Sequence, residues 1–565
     1  MKELFEKKSV RILIFVLLIL GISLFSAFYS YIDYMRDGNV LFLDDISFHL
    51  NRLQSIADGI KGGSFFVHIY PNVLNGYGYA SPVFYPDLFL YPFALLSVLG
   101  VPTVFSFYLL MTSIFVGMGV AMFFFARKFL PFWQSVLSSC LYLVLQYSAA
   151  DIINRAAIGE SLALVFLPVV FLGLYNMTKE DFSKPWILLV GVLGTTYSHT
   201  ISLYLDAWLI VVYTLLHAKT LFPNKKWWIK VGVIFGFYVL IGGAYLFPLA
   251  EMFLSGKFNL SNAKPWLNTQ ALSLTDLFTS RYAIGPFAML AILLRLAVKK
   301  TDENAERVRL MDKFLVGSVF FVVLTLAIFP WKVFNFLFSN MQFPWRFNSF
   351  ACPLLAIYMV MLVRELAVSP KRVGVVSAAL IVCMLVYNVS YLIPSRHTVD
   401  FDYNYVGAGE WIPQQGGAWK EEDGGFVGVL DENGNPVSYR REENTVEISF
   451  ESTGGDYRVA LFYYKGYEAK LVRADQTEIS LEVAADDVSG MIVKTNGERG
   501  TVTVSYRGTL VQRASFVVSI LSAVGGIVLA ILLHRKQNEA CTDETEINAF
   551  ETKWGRAGNF PFGFI

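Results

Sequence analysis

Charged residues are scarce in this chain. Asp, Glu, Lys and Arg make up 16% of its 565 residues, against about 25% in a typical soluble domain. Hydrophobic residues reach 55% and the mean hydropathy is +0.50, which excludes an ordinary water-soluble fold. Apolar runs near the ~20 residues that cross a bilayer recur along the chain. An excess of either charge is also missing: 46 basic against 45 acidic residues leave +1, so no electrostatic footprint for nucleic acid is present. Cysteine is nearly absent. Cys140, Cys352 and Cys383 lie in apolar runs and Cys541 in a polar tail, a pattern with neither a disulfide framework nor metal-ligand spacing. A cleavable leader is lacking too. The first apolar run extends to about Ile32 with no small-residue cleavage site after it, so it reads as a retained anchor.

Hydropathy places twelve spans, at about 12–32, 103–126, 132–149, 161–177, 186–198, 201–217, 229–249, 283–298, 314–330, 347–363, 373–393 and 514–533. Basic clusters such as Lys7-Lys8, Arg127-Lys128, Lys225-Lys226, Lys299-Lys300, Lys371-Arg372 and Arg535-Lys536 all fall on one side, which orientation rules make cytoplasmic. Both termini are then cytoplasmic and the first loop, 33–102, is external, with its apolar part 87–100 too short to cross. Residues 394–512 differ in kind: short alternating stretches such as Val446-Glu447-Ile448-Ser449-Phe450 are separated by Asn433-Gly434, Gly454-Gly455 and Asn496-Gly497. That pattern predicts an extracytoplasmic β-sandwich-like domain. The tail 537–565 is polar and aperiodic, and is expected to be disordered. The domains expected are therefore a transmembrane unit over 1–393, the β-domain over 394–512, a last helix over 513–536, and the tail.

The same layout collects ionisable residues on the external side. Asp44-Asp45-Ile46-Ser47-Phe48-His49-Leu50-Asn51-Arg52 follows the first span. Read as a helix, it sets Asp45, His49 and Arg52 on one face. An acidic pair beside a cation is what a reaction needs to deprotonate a hydroxyl and hold a departing phosphate; it is also how an ordinary wet loop begins. Asn154-Arg155-Ala156-Ala157-Ile158-Gly159-Glu160 reads either as an ion pair fixing a helix end or as a phosphate-binding arginine oriented by a carboxylate. His199, at a hairpin tip, fits a structural histidine as well as a ligand. Trp345-Arg346 suits an interfacial anchor or a platform for sugar and phosphate. Charges gathered at one depth of a helical bundle point to a lined cavity.

Four strings in this order carry a resemblance: Asp44-Asp45 with His49 and Arg52, Arg155 with Glu160, Gln342-Phe343-Pro344-Trp345-Arg346, and Gly409-Glu410-Trp411-Ile412-Pro413. Together they resemble the bacterial membrane family labelled pyruvoyl-tetrahydropterin-synthase-related and its YfhO-type relatives, over about residues 10–535. Those families are similar to the GT-C superfamily of glycosyltransferases. The resemblance implies an all-α polytopic bundle whose first external loop holds an essential acid. It also implies a polyprenyl-phosphate sugar donor used on the outer face. Carried onto this chain, Asp44 or Asp45 would be the base or the ligand of a divalent cation such as Mg or Mn. Arg155 and Arg346 would hold the donor phosphate.

The expectation is thus a multi-pass membrane glycosyltransferase, inverting at the anomeric carbon, with catalytic Asp44 and Asp45. His49, Arg52, Arg155, Glu160, His199, Trp345 and Arg346 would contact substrate, His49 and Arg52 orienting the acidic pair. The acceptor would be a cell-envelope glycan or a teichoic-acid-like polymer, and no nucleic acid is involved. Two other classes fit the composition. A transporter or flippase of lipid-linked sugars should show repeated halves and charges at the bilayer midplane, neither of which is evident. A non-catalytic envelope scaffold would need far fewer helices.

Overall fold

The computed structural model describes residues 7–41, 43–262, 266–367, 369–392, 398–399 and 406–551. The helices that frame the site are α1 (Lys8–Asp37), α2 (Ile46–Lys61), α3 (Tyr91–Val98), α4 (Thr103–Ala126), α5 (Phe132–Val144), α6 (Gln146–Ile153), α7 (Ile158–Lys179), α8 (Trp186–Thr196), α9 (Thr200–Leu216), α10 (Lys225–Ser255), α11 (Pro286–Leu294), α12 (Ala305–Leu324), α13 (Asn348–Leu366), α14 (Pro370–Leu392) and α15 (Leu510–Glu551). Among the described residues, seven helices are long and apolar enough to cross a membrane, or eight if the bent pair α5–α6 is one span. The expectation of twelve is not met. The apolar stretches at 186–198, 201–217 and 283–298 form helices of 11, 17 and 9 residues, shorter than the ~30 Å core requires at ~1.5 Å per residue. The stretch at 314–330 is cut where α12 ends at Leu324. Hydropathy counts apolar residues and cannot see where a helix stops.

Two local features aim the site. Leu145 is extended, with φ −57° and ψ 134°, and bends α5 against α6 by 51°. The bend sets Asp151 and Arg155 inside the bundle, where both are buried. The short pairing of β1 (Val40–Leu41) with β2 (Thr398–Val399) ties the start of the first loop to the chain beyond α14. The Asp45 amide then donates to the Arg155 carbonyl at 2.7 Å, which docks the head of α2 on the α6–α7 turn.

The β-domain comprises β3 (Val429–Leu430), β4 (Pro436–Val437), β5 (Tyr439–Arg441), β6 (Ile448–Thr453), β7 (Tyr457–Val459), β8 (Tyr467–Val472), β9 (Glu478–Ala485), β10 (Met491–Lys494) and β11 (Arg499–Tyr506). They form one antiparallel sheet in the order β4-β3-β7-β10-β9-β8-β11-β6-β5. β9 joins its halves, pairing with β8 through Glu478–Leu481 and with β10 through Glu482–Ala485. Far apart in that order, β6 and β7 still bring Phe450 and Tyr457 to a ring separation of 4.8 Å. The expected β-rich domain is thus present as one antiparallel sheet whose two halves are joined through β9. α15 continues to Glu551, into the segment expected to lack structure; no Gly or Pro interrupts the chain from Ile527 to Trp554. Residues 552–565 lie outside the described ones.

The first loop pins this domain to the bundle. The buried Tyr77 hydroxyl donates to the Phe426 carbonyl and accepts from the Phe426 amide, each at 2.8 Å, and meets Ser489 Oγ at 2.7 Å. Arg441 donates to the carbonyls of Gly76 and Pro71 at 2.8 and 2.7 Å. Gly76 adopts φ +85°, and a Cβ there would lie 2.4 Å from Arg441 Nη1. Replacing Tyr77 with Phe leaves the half-buried Phe426 amide and carbonyl without this partner, while Ser489 keeps its bond to the Ala418 carbonyl. The variant should lose about 1–3 kcal/mol, read as a lower unfolding temperature and faster proteolysis between residues 406 and 509; an unchanged profile would show the hydroxyl to be dispensable.

Candidate functional site

Asp45 is the N-cap residue of α2, yet its carboxylate makes no hydrogen bond to the helix amides. It opens instead on a cavity of about 860 Å³, whose wall also carries His49, Tyr85, Arg155, Glu160, His199, Phe343, Arg346, Glu410 and Trp411. Asp44 is not part of that wall. Its carboxylate accepts from the Tyr282 hydroxyl at 3.1 Å and pairs with Arg281 at 3.5 Å. The expected acidic pair is therefore divided, with Asp45 alone on the cavity. Burial raises the Asp45 pKa, opposed by Arg155 and reinforced by Asp44. Arg155 Nη2 lies 3.9 Å from its Oδ2.

The expectation that His49 and Arg52 orient the acidic pair is not what is found. Arg52 donates from Nε to Asp87 Oδ1 at 3.0 Å, and from Nη2 to the Pro86 carbonyl at 2.8 Å and to Asp87 as well. Tyr70 donates to the other Asp87 oxygen at 2.6 Å, and the guanidinium lies 4.1 Å from the Tyr85 ring centre. Arg52 is thus spent on a buried ion pair that holds the Tyr85-Pro86-Asp87 turn. Its third contact, Nη1 to His49 Nδ1 at 3.0 Å, makes Nδ1 an acceptor and leaves the His49 proton on Nε2, free for the cavity. His199 repeats the arrangement. It is the N-cap of α9 and its Nδ1 accepts from the Ser202 amide at 3.3 Å, so Nε2 again carries the proton. Burial, with Arg52 beside it, holds the His49 pKa well below the usual imidazole value. Burial, then Arg346, pulls that of His199 down to about 3. Both rings are neutral N–H donors.

Opposite them, one carboxylate organises two arginines. Glu160 Oε2 accepts from Arg155 Nη1 and from Arg346 Nε, each at 3.1 Å, while Oε1 accepts from the Tyr147 hydroxyl. Arg155 also bonds Asp151, whose other oxygen accepts from Ser161 at 3.0 Å. Arg346 Nη1 donates to the Met341 carbonyl at 2.8 Å and to Gln342 Oε1 at 3.1 Å; its Nη2 has no hydrogen-bond partner among the described residues. Trp345 is not on the cavity wall. It stacks on Tyr282 and Phe343, with ring centres 4.6 and 4.8 Å away, and the Arg155 guanidinium lies 4.7 Å from its ring. Each arginine adjoins a non-glycine residue in the left-handed region, Ala156 at φ 53° or Gln342 at φ 67°. Such positions cost about 1–3 kcal/mol each and cluster where geometry is held for a purpose.

Charges in the cluster nearly cancel: Arg52 with Asp87, Arg155 and Arg346 with Asp151 and Glu160. Asp45 and Glu410 are the carboxylates of the wall left over from that tally. Among the described residues, no group of three or more His, Cys, Asp or Glu could hold a metal ion. Glu410 is a further carboxylate on the wall, and burial raises its pKa.

Sequence reasoning assigned no role to Tyr85, Asp87 or Glu410. Tyr85 stands between His49 and His199, with ring centres 5.9 and 5.6 Å away. A Cβ on Gly159 would come within 2.0 Å of the Tyr85 hydroxyl, so that glycine makes room for it. Glu410 and Trp411 stand in a string already singled out, and Trp411 stacks on Phe84 at 5.9 Å to close the roof. No local signal marks Asp87, because its partner is 35 residues away.

No family model matches the chain. An uncharacterized protein of Lactococcus lactis subsp. cremoris (strain MG1363) is 27% identical over 345 residues, 56% of this chain and 54% of its own length. The chain thus spans about half the length of that curated relative. Among solved structures, the arabinofuranosyltransferase AftD from Mycobacteria aligns with a TM-score of 0.41 and 15% identity over 67% of this chain and 27% of AftD. A likeness at that level carries no argument about fold or activity, and neither comparison bears on the YfhO-type resemblance.

Replacing Glu160 with Leu leaves two buried guanidiniums short of their shared acceptor. A loss of about 3–5 kcal/mol is expected, measured by thermal unfolding of the purified protein; a loss below about 1 kcal/mol would show that Glu160 does not hold the pair.

Proposed function

We propose that the chain is an integral membrane glycosyltransferase that moves a sugar from a polyprenyl-phosphate donor to a cell-envelope glycan or a teichoic-acid-like polymer, on the extracytoplasmic side. One observation carries the reading: the carboxylate of Asp45, free of any hydrogen bond from its own helix, faces the same cavity as Arg155 and Arg346. Asp45 takes the proton of the acceptor hydroxyl. The acceptor oxygen attacks the anomeric carbon opposite the phosphate, the bond from that carbon to the phosphate oxygen breaks, and configuration inverts. The polyprenyl phosphate departs with the bonding electrons.

The raised pKa of Asp45 suits a base that must accept a proton in a buried setting. Arg155 and Arg346 contribute oriented N–H donors more than excess charge, because Asp151 and Glu160 already balance them. Nε2–H of His49 and of His199 add neutral donors for phosphate or sugar oxygens. Glu410 and Trp411, which lead into the β-domain, line the cavity, and this supports a role for that domain in holding the acceptor.

Asp45→Asn should lower transfer of labelled sugar in membranes by about 10²–10⁴-fold with expression unchanged, whereas Asp44→Asn should stay within about tenfold of the parent. Activity should fall as pH drops through the raised Asp45 pKa, with a midpoint above the ordinary ~3.9 of an aspartate. Because both histidines are already neutral, they contribute no limb between about pH 6 and 7. Full activity of Asp45→Asn would end the proposal. Envelope glycans compared by mass spectrometry with and without the gene identify the product.

A further inference from the structure

A second cavity, of about 700 Å³, lies between α11, α13 and α14 and shares no lining residue with the Asp45 cavity. Its polar lining residues are Ser369, Lys371 and Arg372, all at one end; every other residue of its wall is apolar. The cations are not neutralised locally. No acid lines the groove, and two acids of α12 and α13 are paired with other arginines, Glu365 with Arg307 at 2.9 Å and Asp312 with Arg295 at 3.0 Å. Among the described residues, neither Lys371 nor Arg372 has an ion-pair partner. Both stand in the first turn of α14, where Ser369 Oγ accepts from the Arg372 amide at 3.4 Å and the helix dipole also favours an anion.

We infer that this groove binds an anionic phospholipid, its phosphate on Lys371 and Arg372 and an acyl chain along the apolar wall. Depth decides between occupants. Along α14 the wall runs from Lys371 to Leu380, about 14 Å of helix, which is half of the ~30 Å hydrocarbon core. That is the reach of one leaflet. The leaflet is the one opposite the Asp45 cavity, because α13 starts just after Arg346, first lines the groove at Met359, about 17 Å of helix away, and ends at its cationic mouth with Leu366, about 27 Å away. Unpaired lysine and arginine at a helix end beside such a groove are what a phosphodiester headgroup requires. A zwitterionic lipid would bring its own cation to the same place. The site is independent of the glycosyltransferase reading.

The test uses the full-length protein in detergent, with phosphatidylglycerol and phosphatidylcholine of identical chains at equal concentration, read by native mass spectrometry. The parent should retain phosphatidylglycerol about tenfold or more over phosphatidylcholine. Lys371→Gln with Arg372→Gln should abolish the preference, and Leu290→Trp, which fills the groove, should lower retention of both lipids. In the parent protein, a photoactivatable phosphatidylglycerol should crosslink to residues 359–380. Equal retention of the two lipids by the parent, an undiminished preference in the double variant, or crosslinks spread over the whole apolar surface would each overturn the inference and leave annular lipid only.

Discussion

A single buried carboxylate sets the geometry on which the cavity depends. Glu160 accepts from Arg155, five residues before it, and from Arg346, 186 residues after it. Burying three charges is costly unless each is paired and bonded. Here Asp151, Tyr147, Gln342 and the Met341 carbonyl complete the set. The network couples the α6–α7 turn to the entrance of α13. Two arginines so constrained lose little further freedom when a ligand arrives.

Around that centre the elements are ordered by backbone rather than by side-chain chemistry. The extended Leu145 bends one helix pair, the left-handed Ala156 and Gln342 turn the chain beside each arginine, and the β1–β2 pairing holds the first loop. The Asp45 amide on the Arg155 carbonyl then brings a loop acid to the arginine cluster without consuming its carboxylate. Separating Asp44 from Asp45 follows from the same register. Adjacent residues at a helix start point in different directions, so one meets Tyr282 and Arg281 and the other meets the cavity.

Much of this was legible in the residues themselves. Arg155, Glu160 and Arg346 stood out as charges at one depth of an apolar chain, and they meet. Asp45 and His49 share a helical face, as their spacing implied. Arg52 shares it too, but its partner Asp87 lies on a separate turn, and no spacing rule reaches 35 residues. Trp345 looked like a sugar platform because an aromatic beside an arginine often is one; it packs instead against Tyr282, Phe343 and the Arg155 guanidinium, off the cavity wall. The span count failed for a simpler reason, since hydropathy measures composition and α8, α9 and α11 are apolar but short.

By itself the sequence determined that this chain is built for a bilayer, with an alternating β-rich segment over residues 394–512 and few charged residues among its apolar runs. Those properties are sums over many residues, so they survive ignorance of the fold. Only the tertiary structure decided which carboxylate faces the cavity, which arginine is occupied by a distant aspartate, and that one glutamate serves two guanidiniums. Each of these is a contact between residues far apart in the chain, and a contact of that kind exists only once the helices are packed.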